Sequence, residues 1–432
     1  MSTPRKLVGA LGLLVALIAA TPALAVSGTW FGPQLITLLA AIILALLPNS
    51  PDLDIQRSIA MFRPLAPAAL LPASWMLLQI MPVPSGSLAH PIWRSAAAAL
   101  AESMSAHISI DLGFTLRALF GYLSLIALAF SAAVVARNRD RAESLLLALC
   151  AITTLVALAL ALLPHPATVD ALDSLVALAA LGGILDTALI VRTMERRETR
   201  AQPGARSQSG HLGMLLAGAG GVLICMAALI LSATTAVLIA TLFGLAVLSL
   251  VVLIRRLALG RWTALAVAAA VLVACCSIIV LQSPTNVSAS PLFRFTRPGP
   301  ADSGAAILRM LSDTGWAGAG VGNYGVLAQI YRDATGVPDQ SAVNTIAAVL
   351  LEWGYAGALI IAVPVIQLLV VLLRGALSRG RDAIFAASAA ACLVTICFEA
   401  YCDASLTTLA VQMLAAIIAG IGLSQTVGSR IK

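Results

Sequence analysis

Apolar runs of about 20 residues recur along this 432-residue sequence, and no other feature constrains its fold as strongly. A run of that length lets a helix cross roughly 30 Å of hydrocarbon. In lipid only helices and closed barrels satisfy every backbone polar group, and these runs are continuous rather than alternating, so they read as helices. Twelve spans can be placed, near 7–26, 31–48, 65–83, 114–136, 144–163, 171–191, 212–231, 233–254, 262–281, 354–373, 383–401 and 409–426. Composition agrees: 60% of residues are hydrophobic, 10% are charged, and the mean hydropathy is +0.99. A soluble chain carries about a quarter charged residues. The expected fold class is all-α, a polytopic membrane protein with about 12 transmembrane helices.

The net charge of +7 has a simple distribution. With the N-terminus in the cytoplasm, all but six of the 26 Lys and Arg residues fall in the two tails and the even-numbered gaps. That is the positive-inside pattern, so both termini are expected in the cytoplasm and nucleic acid is not an expected partner. The opening stretch "MSTPRKLVGALGLLVALIAATPALA" has the basic start, apolar middle and Ala-Leu-Ala end of a signal peptide. The many spans that follow favour an uncleaved first helix. The seven cysteines form no CxxC pair and sit almost entirely inside apolar runs, which indicates neither a zinc site nor a disulfide framework.

Two segments on the opposite, extracytoplasmic side are long, about 84–113 and about 282–353. The second is large and polar enough for a small subdomain between helices 9 and 10. The expected organisation is therefore membrane helices over 1–281, a loop subdomain over 282–353, and membrane helices over 354–432. The longest cytoplasmic gap, "RTMERRETRAQPGARSQSGH", reads as a flexible solvated loop.

Within the large loop lies "GVGNYG", residues 320–325, with the spacing of a dinucleotide fingerprint. That fingerprint needs a preceding strand, a following helix and an acidic residue about 20 positions on. Here the preceding "ILRMLSDTGWAGA" is helix-like, and the segment lies on the side where no dinucleotide is expected. What remains is Gly315, Gly318, Gly320, Gly322 and Gly325 around Trp316 and Tyr324, either a tight structural turn or an amide-lined anion nest. The six basic residues on this side are Arg94, Arg117, Arg294, Arg297, Arg309 and Arg332, and the last four flank the turn. Arginines in a bidentate fork suit phosphate; the alternative is pairing with Asp302, Asp313, Asp333 and Asp339.

The stretch from "RPGPADSGAAILRML" through "GVGNYGVLAQIYRDATG" to "SAVNTIAAVLLEWGYAGAL" resembles the O-antigen ligase and Wzy-type polymerase superfamily. The matching positions are Arg297 or Arg294, Gly318, Gly320, Gly322, Asn323, Tyr324, Tyr331, Asn344, Glu352, Gly354 and Gly357. The resemblance implies a metal-independent glycosyltransferase of the bacterial inner membrane, without a cofactor. Its implied partners are an undecaprenyl-diphosphate-linked glycan donor, a lipid or glycan acceptor, and membrane lipids. It assigns Arg297, Arg309 and Glu352 to catalysis. Substrate binding would fall to Arg294, Arg332, Gly318, Gly320, Gly322, Asn323, Tyr324, Tyr331 and Asn344. The His that the family carries before its Asn is Val343 here; Glu352 and Asp339 are the nearest carboxylates, and Glu352 could equally cap the helix that follows it.

Other residues invite a role. "HPIWRSAAAALAESM" reads as an amphipathic interfacial helix with His90 and Arg94 one turn apart and Trp93 as an anchor. Asp186 and Glu399 fall at membrane depth, Glu399 one turn from Asp403. A transporter or flippase of an anionic lipid-linked substrate would also use such acids and arginines, and a non-catalytic relative of the glycosyltransferases is a third reading.

Overall fold

The computed structural model describes residues 3–26, 32–46, 59, 62–83, 88–163, 168–199, 208–232, 235–257, 291–293, 296, 301–331, 342–377 and 382–426. The span expected at 262–281 lies outside these residues, as do Arg294, Arg297, Arg332 and Asp339. The helices are α1 (Thr3–Val26), α2 (Gly32–Leu46), α3 (Ala66–Ile80), α4 (Ile92–Leu100), α5 (Leu112–Val135), α6 (Arg139–Leu162) and α7 (Val169–Thr199). They continue as α8 (Gln208–Leu231), α9 (Thr235–Arg256), α10 (Ala301–Asp313), α11 (Tyr324–Ile330), α12 (Thr345–Leu377), α13 (Ala383–Cys402) and α14 (Leu409–Ser424). β-Pairing is limited, among the described residues, to an isolated antiparallel bridge between Pro82 and His107.

Eight helices are long and apolar enough to cross a membrane: α1, α5, α6, α7, α8, α9, α12 and α13. Three more, α2, α3 and α14, are apolar but only 15 or 16 residues long. The fold is thus all-helical with the spans a polytopic membrane protein requires. In α7, 78% of the apolar window is buried, and in α13 72%, against 11% in α12. Helices α7 and α13 therefore form the centre, and α12 turns most of its surface outward. Small residues make α13 a central helix: Ala386, Ala387, Ala389, Ala390 and Ala391 are enclosed and let neighbouring backbones approach. Leu14, Leu17 and Ile18 of α1 join the same core, so the first helix packs as a member of the bundle.

Local signals start the helices where expected. Asp111 caps α5, its Oδ1 accepting from the amides of Gly113 (2.7 Å) and Phe114 (3.2 Å). Asn138 caps α6 through the amide of Asp140 (2.9 Å). The C-terminal part of α7 runs beyond the expected span because its arginines find partners there: Arg192 and Arg196 both reach Glu143 of α6.

The two ends of the bundle differ in charge. One end gathers Arg137, Arg139, Arg141, Arg192, Arg196, Arg255, Arg256 and Arg374, with Asp140, Glu143, Glu195 and Asp382 as its described acids. Arg139 lies 3.3 Å from Asp382, and Arg255 3.4 Å from Glu195. The other end carries the C-terminus of α3, residues 105–111, the glycine turn, the start of α12 and the end of α13.

Candidate functional site

The glycine turn is built against a break in α12. Gly354 has φ 70° and ψ 177°, a backbone region that essentially only glycine occupies. A break in a helix orphans carbonyls on its N-terminal side. Three of them are claimed from outside the helix here. Leu351 O accepts from Ala319 N (2.8 Å), Glu352 O from Gly320 N (3.0 Å) and Gln79 Nε2 (3.0 Å), and Trp353 O from Trp75 Nε1 (3.1 Å). Beyond the break, Ala356 N donates to Trp316 O (3.3 Å). The turn and the broken helix thus lie alongside each other and exchange backbone hydrogen bonds.

Whether the turn is an anion nest is an accounting question about its amides. Gly318 N donates to Gly315 O, Ala319 N to Leu351 O, Gly320 N to Glu352 O and Asn323 N to Gly320 O. Val321 N donates to Gln79 Oε1 (3.3 Å), and Tyr324 N to Glu352 Oε1 (2.9 Å). The Gly322 amide also bonds the Glu352 carboxyl. Every amide from Gly318 to Tyr324 therefore has an acceptor within the protein, and the place an anion would take is filled by the chain's own Glu352 carboxyl group. Glu352 caps α11, the helix before it in the chain, rather than the one that follows.

Positive φ at Gly318, Gly320 and Gly322 is matched by close approach: a Cβ at Gly318 would fall under 3.0 Å from Glu352 O and Gly354 N, and one at Gly320 under 3.0 Å from the Ser109 side chain. Gly315 and Gly325, by contrast, have open space where a Cβ would stand. Asn323 is fully buried; its Nδ2 lies 3.0–3.3 Å from Ser109 Oγ, Thr115 Oγ1, Asp111 O and Ala319 O. Asn344, also fully buried, caps α12 through Ala347 N (2.8 Å) and donates to Leu292 O (2.7 Å) and Tyr401 O (3.3 Å). Val343, next to it, packs in the cluster of Ile307, Met310, Leu327 and Leu351.

The remaining candidates take different positions. Arg309 lies on the exposed face of α10, whose Ile307 and Met310 face the turn. Tyr324 packs in that same cluster. Tyr331 closes α11 and donates its hydroxyl to Asp313 (2.8 Å). Partial burial, then the hydrogen bond and charge of Asp313, push the Tyr331 phenol from 10.0 up to about 12. A phenol raised in the folded state adds stability that is complete below pH 10 and lost as the pH climbs toward 12. Tyr331→Phe should abolish that dependence: the stability difference between the two proteins is expected to shrink across this window in thermal unfolding at stepped pH.

Three residues that hold the turn give little sign of it in the sequence: Gln79, Trp75 and Ser109. Gln79 is fully buried and makes three hydrogen bonds to the turn and the break, its Nε2 also donating to Ala317 O (3.0 Å). Its one signal is an amide ending the apolar run "PASWMLLQI". Gln79→Ala should cost about 2–3 kcal/mol by removing the partner of Val321 N and Ala317 O and one of the two donors to Glu352 O, read as a lower unfolding midpoint in detergent. Helix α4 docks nearby by Trp93, whose Nε1 donates to Ser109 O (3.0 Å). Burial holds the His90 imidazole below its usual value.

The two acids at membrane depth are both enclosed. Asp186 accepts from Thr154 Oγ1 of α6 (3.0 Å), while Thr187 bonds its own helix at Gly183 O. Gly221 of α8 leaves the space the Asp186 carboxyl fills. Glu399 is fully buried, and neither carboxyl oxygen has a hydrogen-bond partner. Among the described residues no group of three or more His, Cys, Asp or Glu side chains is placed to hold a metal ion.

Fold and site together define a polytopic α-helical membrane protein with a rigid, hydrogen-bonded turn at one end of its bundle. No protein-family model matches the chain, and no curated protein matches it either.

Proposed function

We propose that this chain is a membrane glycosyltransferase that transfers or polymerises a glycan carried on undecaprenyl diphosphate. One observation carries the reading. Of the positions behind the sequence resemblance, Gly318, Gly320, Gly322, Asn323, Tyr324 and Glu352 meet in one hydrogen-bonded unit beside the break at Gly354, although about 30 residues separate the turn from Glu352. In this reading the acceptor hydroxyl attacks the anomeric carbon, and the lipid diphosphate leaves with the bonding electron pair. Arg297, Arg309, Arg294 and Arg332 neutralise the charge that grows on the diphosphate. The turn supplies rigidity rather than amides, and Glu352 is a positioning residue. Asp339 is then the carboxylate nearest in sequence to Val343 that remains for the acceptor's proton.

A carrier of the same lipid-linked anion is the second reading, favoured by the enclosed acids Asp186 and Glu399. Purified protein in proteoliposomes loaded with the lipid-linked glycan separates the two. Cleavage of the glycan from the diphosphate, with transfer to an acceptor, supports the enzyme. Movement across the bilayer with the linkage intact supports the carrier, and neither event would overturn both. In the source bacterium, deletion should accumulate single repeat units if the chain polymerises and long chains if it ligates.

A further inference from the structure

Between α4 and α5 the chain reads "SAHISI", residues 105–110, polar and apolar in strict alternation. That is the period of an extended backbone, which puts Ser105, His107 and Ser109 on one face and Ala106, Ile108 and Ile110 on the other. The apolar face packs inward: Ile108 joins Trp75, Val321 and Trp353, and Ile110 packs on the cluster of Ile307, Met310 and Leu327. Helix α3 ends against this segment, which claims two of its orphaned carbonyls. Gln79 O accepts from Ser109 N (3.1 Å), and Ile80 O accepts from His107 Nδ1 (2.8 Å).

A carbonyl only accepts, so Nδ1 carries the proton of the neutral imidazole and Nε2 keeps its lone pair. Nε2 lies 3.1 Å from Ser105 Oγ, which therefore donates to it. The His107 ring is buried, with Trp93 packed edge-on at 5.3 Å between ring centroids, whereas Ser105 is exposed. An open hydroxyl thus stands on a fixed, oriented base, the order of nucleophile, base and orienting acceptor found in activated serines. The place of the orienting carboxylate is taken by the last carbonyl of α3, at the negative end of that helix's dipole. The amides of Ser105 and Ala106 donate to no acceptor among the described residues, which leaves two adjacent donors beside the hydroxyl. Apolar side chains surround the pair in the chain: Met81 is 58% exposed, Leu100 62% and Met104 39%. On the positive-inside pattern this end of the bundle lies outside the cytoplasm.

We propose that Ser105 is a nucleophile that takes the acyl group of an amphiphilic carboxylic ester at the outer membrane–water interface, with His107 as its base. Ser105 Oγ attacks the ester carbonyl carbon as its proton passes to His107 Nε2. The oxyanion so formed meets the Ser105 and Ala106 amides. The bond from carbon to the alcohol oxygen then breaks; that oxygen keeps the bonding pair and receives the proton from Nε2. The acyl group remains on Ser105 as an ester until water attacks it, giving a proton to Nε2 that Oγ recovers. Met81, Leu100 and Met104 suit the acyl chain. None of these steps uses Glu352 or the arginines, so the proposal stands whatever the glycine turn does.

The test uses the full chain in a neutral detergent and an alkyl fluorophosphonate, whose fluoride an activated serine displaces. Intact mass should show a single adduct, and peptide mapping should place it on Ser105. Ser105→Ala should abolish the adduct, and Ser103→Ala, at the neighbouring exposed serine, should leave it unchanged. His107→Gln should slow labelling about 100-fold or more, the share of a positioned general base; if that variant does not fold, the two serine variants decide. The wild-type chain should cleave p-nitrophenyl octanoate about tenfold or more faster than the acetate, as two buried methylenes would give. No adduct on Ser105, or equal labelling of a folded His107→Gln, would overturn the proposal. Equal rates on the two esters would overturn the amphiphilic substrate.

Discussion

Gly354→Ala should cost about 4 kcal/mol or more and release the glycine turn from the bundle. Two effects add. At φ 70° and ψ 177° a side chain is strained wherever it stands. The new Cβ would also fall under 3.0 Å from Trp316 O, Gly318 N and Ala317 C, all backbone atoms that cannot rotate away. The helix could relieve the strain by closing its break. That would withdraw Leu351 O, Glu352 O and Trp353 O from Ala319, Gly320 and Trp75. Amide exchange is the direct readout, since the amides of 318–324 should lose protection while those of the central helix α13 keep theirs. Gly325→Ala is the matched control: it has open space and lies inside α11, so it should be neutral or stabilise by up to about 1 kcal/mol. Equal effects from the two substitutions would mean that the break does not hold the turn.

The contrast between those two glycines shows what the sequence reveals and what it withholds. Spans are legible because length and apolarity suffice: helices long enough to cross a membrane stand at eight of the expected positions, and shorter apolar helices at three more. The turn is legible as a turn because five glycines in eleven residues have few other uses. Which glycines are essential is not, since that depends on atoms brought in from Ser109 and Glu352, far away in the chain. The same holds for Gln79, which reaches the turn across 238 or more residues. Glu352 illustrates the ambiguity of a capping carboxylate. A Glu followed two residues later by Gly points to some helix N-terminus, and the nearest in sequence is the obvious choice. The break at Gly354 instead lets the carboxyl meet the start of α11, whose amides were already turned toward it. Asn323 and Asn344 likewise read as ligand contacts and are found inside the protein, one bracing the turn against α5 and the other capping α12.

Glu352→Ala and Glu352→Gln should separate positioning from chemistry. Alanine leaves Gly322 N and Tyr324 N without the carboxyl that accepts from them. Each orphaned amide costs about 1–3 kcal/mol, so the substitution should destabilise by about 3 kcal/mol and unfasten α11 from the turn. Glutamine keeps a carbonyl oxygen at the same reach and loses only the charge, a change of about 1 kcal/mol at a helix N-terminus. If Glu352 positions the turn, Gln retains most glycosyl transfer together with the protection of amides 318–324, while Ala loses both. Loss of transfer in Glu352→Gln with amide protection intact would instead require the carboxylate itself in the reaction. Asp339 would then be unnecessary as the acceptor's base, and the turn would hold a reacting group rather than a brace.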